Sequence, residues 1–186
     1  VFNEVVDKHN KIIEELEVEV DLHHIWDEIK KLAQGINLMR ELSISARDRL
    51  IGFGERISIH LLTAVLAKRG VKAKALDAYD FIFTDNNFSE GNVDFEKTNK
   101  AIVEKVQPLL EEGVIPVITG FVGQAENGHY ITLGRGGSDY TGAIVGAALG
   151  ASEVQIWTDV DGILNTDPRL VPEAKVLERV SFQEAG

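Results

Sequence analysis

Apolar residues recur at helical spacing through the first seventy positions of the chain. The repeat over residues 1–16 predicts an amphipathic helix, and a second repeat over residues 22–32 predicts another helix, which Gly35 should end. A longer helix is expected to start at Ser45 and to stop at Gly70. The apolar stripe of this third helix consists of Leu50, Phe53, Ile57, Leu61 and Ala64.

Strand and helix patterns alternate after residue 70. The segment from Thr98 to Glu112 predicts a helix that Pro108 should kink or restart. Residues 121–132 predict a hairpin that turns at Glu126-Asn127-Gly128. The other predicted segments are strands at residues 71–77 and 114–120 and a polar loop at residues 84–92. This alternation indicates one layered α/β domain.

The segment ITLGRGGSDYTGAIVGAALG predicts a short strand, a Gly-rich turn and a helix of small residues. Gly136 and Gly137 allow left-handed backbone angles and a close approach to a ligand. Ser138 is predicted as the N-cap, so that free N–H groups, the helix dipole and the Arg135 guanidinium form a receptor for a carboxylate or phosphate. Asp139 suits a place where a cation, an ammonium group or a lysine is also held. The alternative is that such a turn, common in α/β proteins, binds nothing.

A second polar loop follows the next predicted strand. The segment EVQIWTDVDGILNTDPR predicts a buried strand that ends at Thr158 and Asp159. One helix joins the two segments, so strand, helix and strand should form a parallel unit with both loops at one edge of the sheet. Ligands of open parallel sheets bind beyond the carboxyl ends of the strands, and Arg169 can reach a phosphate there. Two Gly-containing loops at one edge predict a binding site.

Glu55 is a further candidate because it follows Gly54 inside the predicted long helix. The glycine costs a helix about 1 kcal/mol relative to alanine, which indicates a close approach of another group at this position. The alternative is a solvated glutamate that binds nothing. No metal site is predicted, because Asp159, Asp161 and Gly162 lack the spacing of a calcium loop and the five histidines lack metal-ligand spacing.

Composition narrows the class of partner. Nineteen basic and thirty acidic residues give a net charge of −11, which argues against nucleic acid or an anionic membrane. The chain has no cysteine, so disulfides and thiolate zinc sites are excluded and a reducing, cytoplasmic location is expected. No apolar run approaches the roughly 20 residues that span a bilayer, so we expect no membrane partner.

The motifs resemble those of one known family. GFVGQAENGHYITLGRGGSDYTGAIVGAALG followed by VQIWTDVDGILNTDPRLVPEA is similar to aspartate kinases of the amino-acid kinase superfamily. GFGERISIHLLTAVLAKRG resembles the Gly-Glu helix of that family, which carries a substrate-binding glutamate. The match extends from about Ser45 to Glu184 and is weak over the first forty residues. The resemblance implies an α/β fold, a three-layer αβα sandwich with a mainly parallel central sheet, incomplete at both ends.

The resemblance also implies an activity, the transfer of the γ-phosphoryl group of Mg-ATP to the side-chain carboxylate of L-aspartate on the route to lysine, threonine and methionine. It assigns the substrate ammonium group to Glu55, the substrate carboxylate to Arg135, and the organisation of a catalytic lysine or of the metal-bound phosphates to Asp139. The other implied substrate-binding residues are Gly136, Gly137 and Ser138. The implied nucleotide-binding residues are Thr158, Asp159, Leu164 and Arg169. ATP and the Mg²⁺ that it carries are the expected cofactors.

Departures from the family pattern affect what this chain can do alone. Family members begin with a strand and a Lys-Phe-Gly-Gly loop whose lysine contacts the phosphates, and they continue into regulatory ACT domains; neither occurs here. We therefore interpret the chain as an internal fragment, with residues 1–44 helical and residues 45–186 forming the substrate- and nucleotide-binding core, and expect it to be inactive by itself. Leu164 replaces an aromatic residue of many relatives. The intact enzyme is expected to be a homo-oligomer.

Two other functions stay open. One is an amino-acid kinase with glutamate or acetylglutamate as the acceptor, although Arg135-Gly-Gly-Ser-Asp together with Glu55 favours aspartate. The other is a non-catalytic binding or regulatory subunit that keeps the fold without phosphoryl transfer.

Overall fold

The computed structural model describes residues 2–158 and 162–185. Within these residues the chain forms six α-helices and five β-strands. The chain divides into two compact units: the first ends at Val154 and the second begins at Gln155. All five described strands belong to the first unit.

Three helices open the chain. Helix α1 spans Phe2–Leu16, α2 spans His23–Met39 and α3 spans Ile44–Lys68. The prediction that Gly35 ends the second helix is wrong, because α2 continues through it to Met39, and the C-cap is Arg40 with a left-handed φ of 55°. Packing of α2 against α3 offsets the helix cost of the glycine, which is about 1 kcal/mol.

Helix α3 is the longest described helix. The Oγ of Ser43 accepts a hydrogen bond of 3.1 Å from the N–H of Ala46 and thereby caps its start. By length and composition, α3 is the one described helix that could cross a membrane, contrary to the expectation that no apolar run is long enough. Its packing against α2 and against three of the described strands is that of a core helix.

The strands form two small sheets; their bounds are Ala73–Leu76 for β1, Phe83–Thr84 for β2, Ile115–Ile118 for β3, Val122–Ala125 for β4 and Tyr130–Thr132 for β5. In the first sheet, β1 pairs in parallel with β3. In the second, β4 lies between β2, which is parallel to it, and β5, which is antiparallel. The predicted hairpin is confirmed by the β4–β5 pairing, and Gly128 in its turn has a φ of 78°.

Helix α4 spans Phe95–Glu111, α5 spans Gly137–Ala148 and the short α6 spans Phe182–Ala185. The predicted restart at Pro108 does not occur, since α4 continues through it. Proline lacks the N–H that would donate one intrahelical hydrogen bond, but its carbonyl still accepts a 3.1 Å bond from the N–H of Glu112, so the helix pattern continues past it.

Two clusters of buried apolar side chains hold the first unit together. The larger comprises Ala78, Phe81, Ile82, Ile102, Val106, Val122, Leu133 and Ile144. The smaller joins α2 to α3 and comprises Leu22, Ile25, Phe53 and Ile57. Helix α3 therefore connects the helical amino-terminal part to the sheets.

Residues 153–158 do not form the predicted buried strand. The side chains of Val154, Ile156 and Trp157 are 45%, 52% and 89% exposed. A strand is stabilised by pairing with a neighbouring strand, and the sheets within the described residues are built from β1 to β5. The predicted parallel unit of strand, helix and strand is therefore not formed within the described residues.

Candidate active site

The Gly-rich turn joins β5 to α5. Helix α5 begins at Gly137, and Gly136 occupies the N-cap with a left-handed φ of 72°. The prediction that Ser138 is the N-cap is wrong, because the helix starts one residue before Ser138. Among the described residues, no acceptor faces the N–H groups of Ser138 and Asp139. These groups at the positive end of the helix dipole are available to an anion.

Close packing fixes the position of this turn. A Cβ on Gly137 would lie 2.8 Å from Cδ2 of Phe121 and 3.2 Å from Cβ of Leu133, so only glycine fits there without a shift. The hydroxyl of Thr141 accepts a 3.1 Å hydrogen bond from the N–H of Phe121 and donates one of 2.8 Å to the carbonyl of Gly137. Thr141 thus ties the start of α5 to the segment before β4.

Glu55 and Ser138 line one cavity of about 320 Å³, together with Gly120 and Thr141. Oε2 of Glu55 accepts a long hydrogen bond of 3.4 Å from the N–H of Gly120. A Cβ on Gly120 would lie 2.7 Å from Oγ of Ser138, so the close approach is here. The close approach predicted at Gly54 is wrong, because nothing lies within 4 Å of a Cβ built there. The fold brings the predicted carboxylate and hydroxyl together.

Arg135 lines a different cavity, of about 250 Å³, with Arg47, Ser89 and Phe121. Its side chain is exposed, and its guanidinium has no hydrogen-bond or ion-pair partner among the described residues. Asp139 is exposed in the same way, without a described partner for its carboxylate. The structure therefore leaves both charged groups available to a ligand but does not place Arg135 in the cavity of Glu55.

An ion-pair network holds α3 in place beside Glu55. Arg56 donates from Nη1 to Oε2 of Glu28 at 2.9 Å and pairs through Nε with Oδ2 of Asp77 at 3.1 Å. The hydroxyl of Tyr130 donates to the same Oδ2 at 2.8 Å. The hydrogen bond from Arg56 holds the pKa of Glu28 below its usual value, whereas burial and the Asp77 charge raise the pKa of Tyr130. Tyr130 therefore keeps its hydroxyl proton and donates a hydrogen bond to Asp77. The network joins α2, α3, β5 and the end of β1.

The predicted nucleotide-binding residues lie at or beyond the start of the second unit. Leu164 forms an isolated antiparallel bridge with Val176. The guanidinium of Arg169 donates to the carboxylate of Asp167 at 3.2 and 3.1 Å. Thr158 is exposed, and Asp159 lies outside the described residues. Their role in nucleotide binding stays a prediction.

A larger cavity, of about 730 Å³, lies at the carboxyl ends of β2 and β4 and contains none of the predicted residues. Its charged groups are already paired: Nζ of Lys97 lies 2.9 Å from Glu126 and 3.5 Å from Asp94, and Asp85 accepts a 2.6 Å bond from Asn92. The cavity of Glu55 and Ser138 is the better candidate site, because the Glu55 carboxylate accepts a single long hydrogen bond among the described residues and the neighbouring N–H groups of Ser138 and Asp139 have no described acceptor.

Sequence reasoning missed Gly120, Thr141 and Asp48. Asp48 is a fully buried carboxylate on α3. The sequence did contain one signal for Asp48: it lies four positions before Gly52, on the face of α3 that is buried. Gly120 and Thr141 carried no such signal, because their importance depends on packing between elements distant in sequence.

Comparison with known proteins agrees with the resemblance. Aspartokinase 1, chloroplastic, from Arabidopsis thaliana is 36% identical over 182 residues, which are 96% of this chain and 32% of the relative. Lysine-sensitive aspartokinase 3 from Escherichia coli K12 is 37% identical over 167 residues, 87% of this chain and 37% of the relative. The structure of E. coli aspartokinase III in complex with aspartate and ADP matches with a TM-score of 0.77 and 37% identity, over 89% of this chain and 35% of that one.

The chain thus spans about a third of the length of these relatives. The structural match confirms the predicted fold class, an αβα arrangement with parallel strand pairing. The sequence profile of the amino acid kinase family matches residues 4–186. The chain belongs to the amino acid kinase family.

Proposed function

We propose that the protein containing this chain is an aspartate kinase. It transfers the γ-phosphoryl group of ATP to the side-chain carboxylate of L-aspartate and so begins the biosynthesis of lysine, threonine and methionine. The relatives compared above are named aspartokinases, and one of their structures holds aspartate and ADP. The proposal concerns the intact protein and includes a cytoplasmic location and a homo-oligomeric state.

The observation that carries the proposal is the cavity shared by Glu55 and Ser138. An amino acid requires an acceptor for its ammonium group and donors for its carboxylates. The Glu55 carboxylate supplies the acceptor, and the N–H groups of Ser138 and Asp139 at the start of α5 supply donors. Gly136, where nothing lies within 4 Å of an added Cβ, leaves this edge of the backbone open to a small substrate, and Gly137 packs against Phe121 and fixes the turn.

Arg135 is assigned to a substrate carboxylate, although it lines the neighbouring cavity. Its guanidinium has no described partner that a substrate must displace. Because arginine has several rotatable bonds, a rotamer change can redirect the guanidinium without moving the backbone of the turn. Its planar fork then offers two parallel donors to one carboxylate.

The reaction joins two anions. One side-chain carboxylate oxygen of aspartate attacks the γ-phosphorus, the bond from this phosphorus to the β-phosphate oxygen breaks, and ADP leaves with that electron pair. Catalysis therefore depends on alignment and on neutralising charge. Asp139, exposed in the first turn of α5, is assigned to organise a lysine or the phosphates bound to Mg²⁺, which the nucleotide carries.

ATP is assigned to the segment from Thr158 and Asp159 onwards. Arg169 would bind a phosphate after exchanging its present partner, Asp167. Leu164, half-buried in the second unit, would pack on the base without the stacking that an aromatic residue gives.

The test is ADP release by the intact gene product with L-aspartate, L-glutamate or N-acetyl-L-glutamate as acceptor, with hydroxylamine to trap the acyl phosphate. We expect turnover with aspartate. Preference for N-acetyl-L-glutamate, which has no ammonium group, together with activity that is unchanged in Glu55→Ala, would contradict the proposal. Aspartate binding without turnover would identify a non-catalytic subunit. Inactivity of residues 1–186 alone is a prediction that the same assay tests.

A further inference from the structure

Helix α3 carries a buried carboxylate, Asp48, that the proposed chemistry does not use. It is 0% exposed and lies seven residues before Glu55. Its hydrogen-bond partners among the described residues are neutral and belong to two residues, Ser89 and Thr132. A buried charge is costly unless it is hydrogen-bonded, so these bonds are required for its presence there.

The bonds to Ser89 hold an unusual backbone conformation. Asp48 accepts from the N–H of Ser89 at 2.8 Å and from its hydroxyl at 3.0 Å. Ser89 has a φ of 69°, in the left-handed region that disfavours residues with a side chain. In this conformation the carbonyl of Ser89 lies against Gly134, where a Cβ would be 3.3 Å from its oxygen. Gly134 directly precedes Arg135.

The other two hydrogen bonds of Asp48 hold Thr132, which lies just before the Gly-rich turn. Asp48 accepts from the N–H of Thr132 at 2.9 Å and from its hydroxyl at 3.2 Å. Thr132 is the last residue of β5, three positions before Arg135. Ser89, Thr132, Gly134 and Arg135 all line the cavity of about 250 Å³. One carboxylate thus anchors both segments that frame Arg135.

We propose that Asp48 is a positioning residue for substrate binding: its four hydrogen bonds to Ser89 and Thr132 fix the Gly-rich turn so that Arg135 and the start of α5 meet the substrate carboxylates. Asp48 itself does not contact the substrate. This inference rests on the proposed function for its kinetic consequence, whereas its structural part concerns the order of the turn alone.

The variants Asp48→Ala and Asp48→Asn separate hydrogen bonding from mere packing. An asparagine can accept from both backbone N–H groups through its oxygen and donate to the Ser89 hydroxyl through its nitrogen. Thr132→Val removes only the hydroxyl bond and serves if Asp48→Ala does not fold. Thr98→Val is the matched control, because Thr98 is also fully buried and its hydroxyl accepts a 2.9 Å bond from the N–H of Phe83, the first residue of β2, and neither residue lines the cavity of Arg135.

Two measurements on the intact gene product test the proposal. Amide hydrogen exchange at residues 133–138 should quicken by about tenfold or more in Asp48→Ala, relative to the unmodified protein and beyond any change in α1. The KM for aspartate should rise about tenfold, with a smaller fall in kcat and little change in the KM for ATP. Asp48→Asn should recover most of both effects. Thr132→Val should show them in weaker form, and Thr98→Val should show neither.

Unchanged exchange at residues 133–138 in both Asp48→Ala and Thr132→Val would overturn the proposal. So would quicker exchange with an unaltered aspartate KM in an active enzyme. If the unmodified protein shows no aspartate-dependent ADP release, the proposed function fails, and the exchange measurement still decides whether Asp48 orders the turn.

Discussion

The Gly-rich turn and the segment after Gln155 are held by different kinds of contact. Around the turn, hydrogen bonds join residues far apart in the sequence: Asp48 and Thr132 are 84 positions apart, and Glu55 and Gly120 are 65. In the second unit, Arg169 bonds to a carboxylate two positions away, and the Asn165 side chain bonds ten positions away.

Long-range bonds form only when a whole unit is folded, whereas local bonds also form in short, otherwise unfolded segments. Long-range hydrogen bonds hold a binding site in the same rigid arrangement as the core, so the site is formed before the substrate binds. We therefore expect substitutions around the turn to change both stability and substrate binding. Substitutions in the second unit should change ligand binding with little effect on stability.

The largest effect is expected for Arg135→Lys in the intact protein. The ammonium group of lysine lacks the two parallel donors of a guanidinium. Charge-assisted hydrogen bonds contribute about 1.5–3 kcal/mol, so aspartate binding should weaken by roughly ten- to a hundredfold. Steady-state kinetics against aspartate at saturating ATP measures this, with Arg169→Lys as the control from the second unit. A KM within about twofold of the wild-type value would show that Arg135 contributes only its charge and makes no bidentate bond to the substrate.

Glu55→Ala and Arg169→Ala test whether the two regions bind different ligands. Removing the Glu55 carboxylate should raise the KM for aspartate by about tenfold, since the substrate ammonium loses its acceptor, and should leave the KM for ATP nearly unchanged. Arg169→Ala should do the reverse. Equal effects of both variants on both ligands would show that the assignment of the two halves is wrong.

Gly120→Ala tests the close approach at the cavity. The new Cβ would lie 2.7 Å from Oγ and 2.9 Å from Cα of Ser138, so the start of α5 must shift. Overpacking of this kind costs about 1–3 kcal/mol of unfolding free energy. Gly35→Ala is the control: nothing lies within 4 Å of its Cβ in α2, and it should stabilise the protein by about 0.5–1 kcal/mol. Urea unfolding of both variants gives the two values, and equal values would contradict the packing argument.

The comparison also explains which features could be predicted from the sequence. Helix α3 and the β4–β5 hairpin follow from local periodicity and turn residues, and both were predicted. A buried strand was also predicted before Thr158, but the structure does not form it, because a strand also depends on a partner that its own residues do not specify. Motifs identified Glu55 and Ser138 as candidates, and the structure places them in one cavity. The role of Asp48 was not predicted, since its hydrogen-bond partners are 41 and 84 positions away in the sequence.

The smallest effect is expected in the pH dependence of stability, where we compare one paired carboxylate from each unit. A hydrogen bond from Arg56 lowers the pKa of Glu28, and one from Arg169 lowers the pKa of Asp167. A folded-state pKa below the unfolded value, about 4.3 for glutamate, gives stability that is present above that pH and is lost as the pH falls through the folded pKa.

Only the long-range pair should show this linkage. Glu28 and Arg56 lie on different helices, so unfolding separates them, whereas Asp167 and Arg169 stay two positions apart in the unfolded chain. Because Glu28 is partly exposed, solvent screening limits its contribution to less than about 1 kcal/mol. Glu28→Gln should lower stability at pH 7 and flatten its loss between about pH 5 and 3, the range around the reference pKa. Asp167→Asn should change neither, as thermal unfolding across this pH range would show. An equal effect of Asp167→Asn would mean that the second unit depends on its ion pair as strongly as the first unit depends on the pair of Glu28 and Arg56.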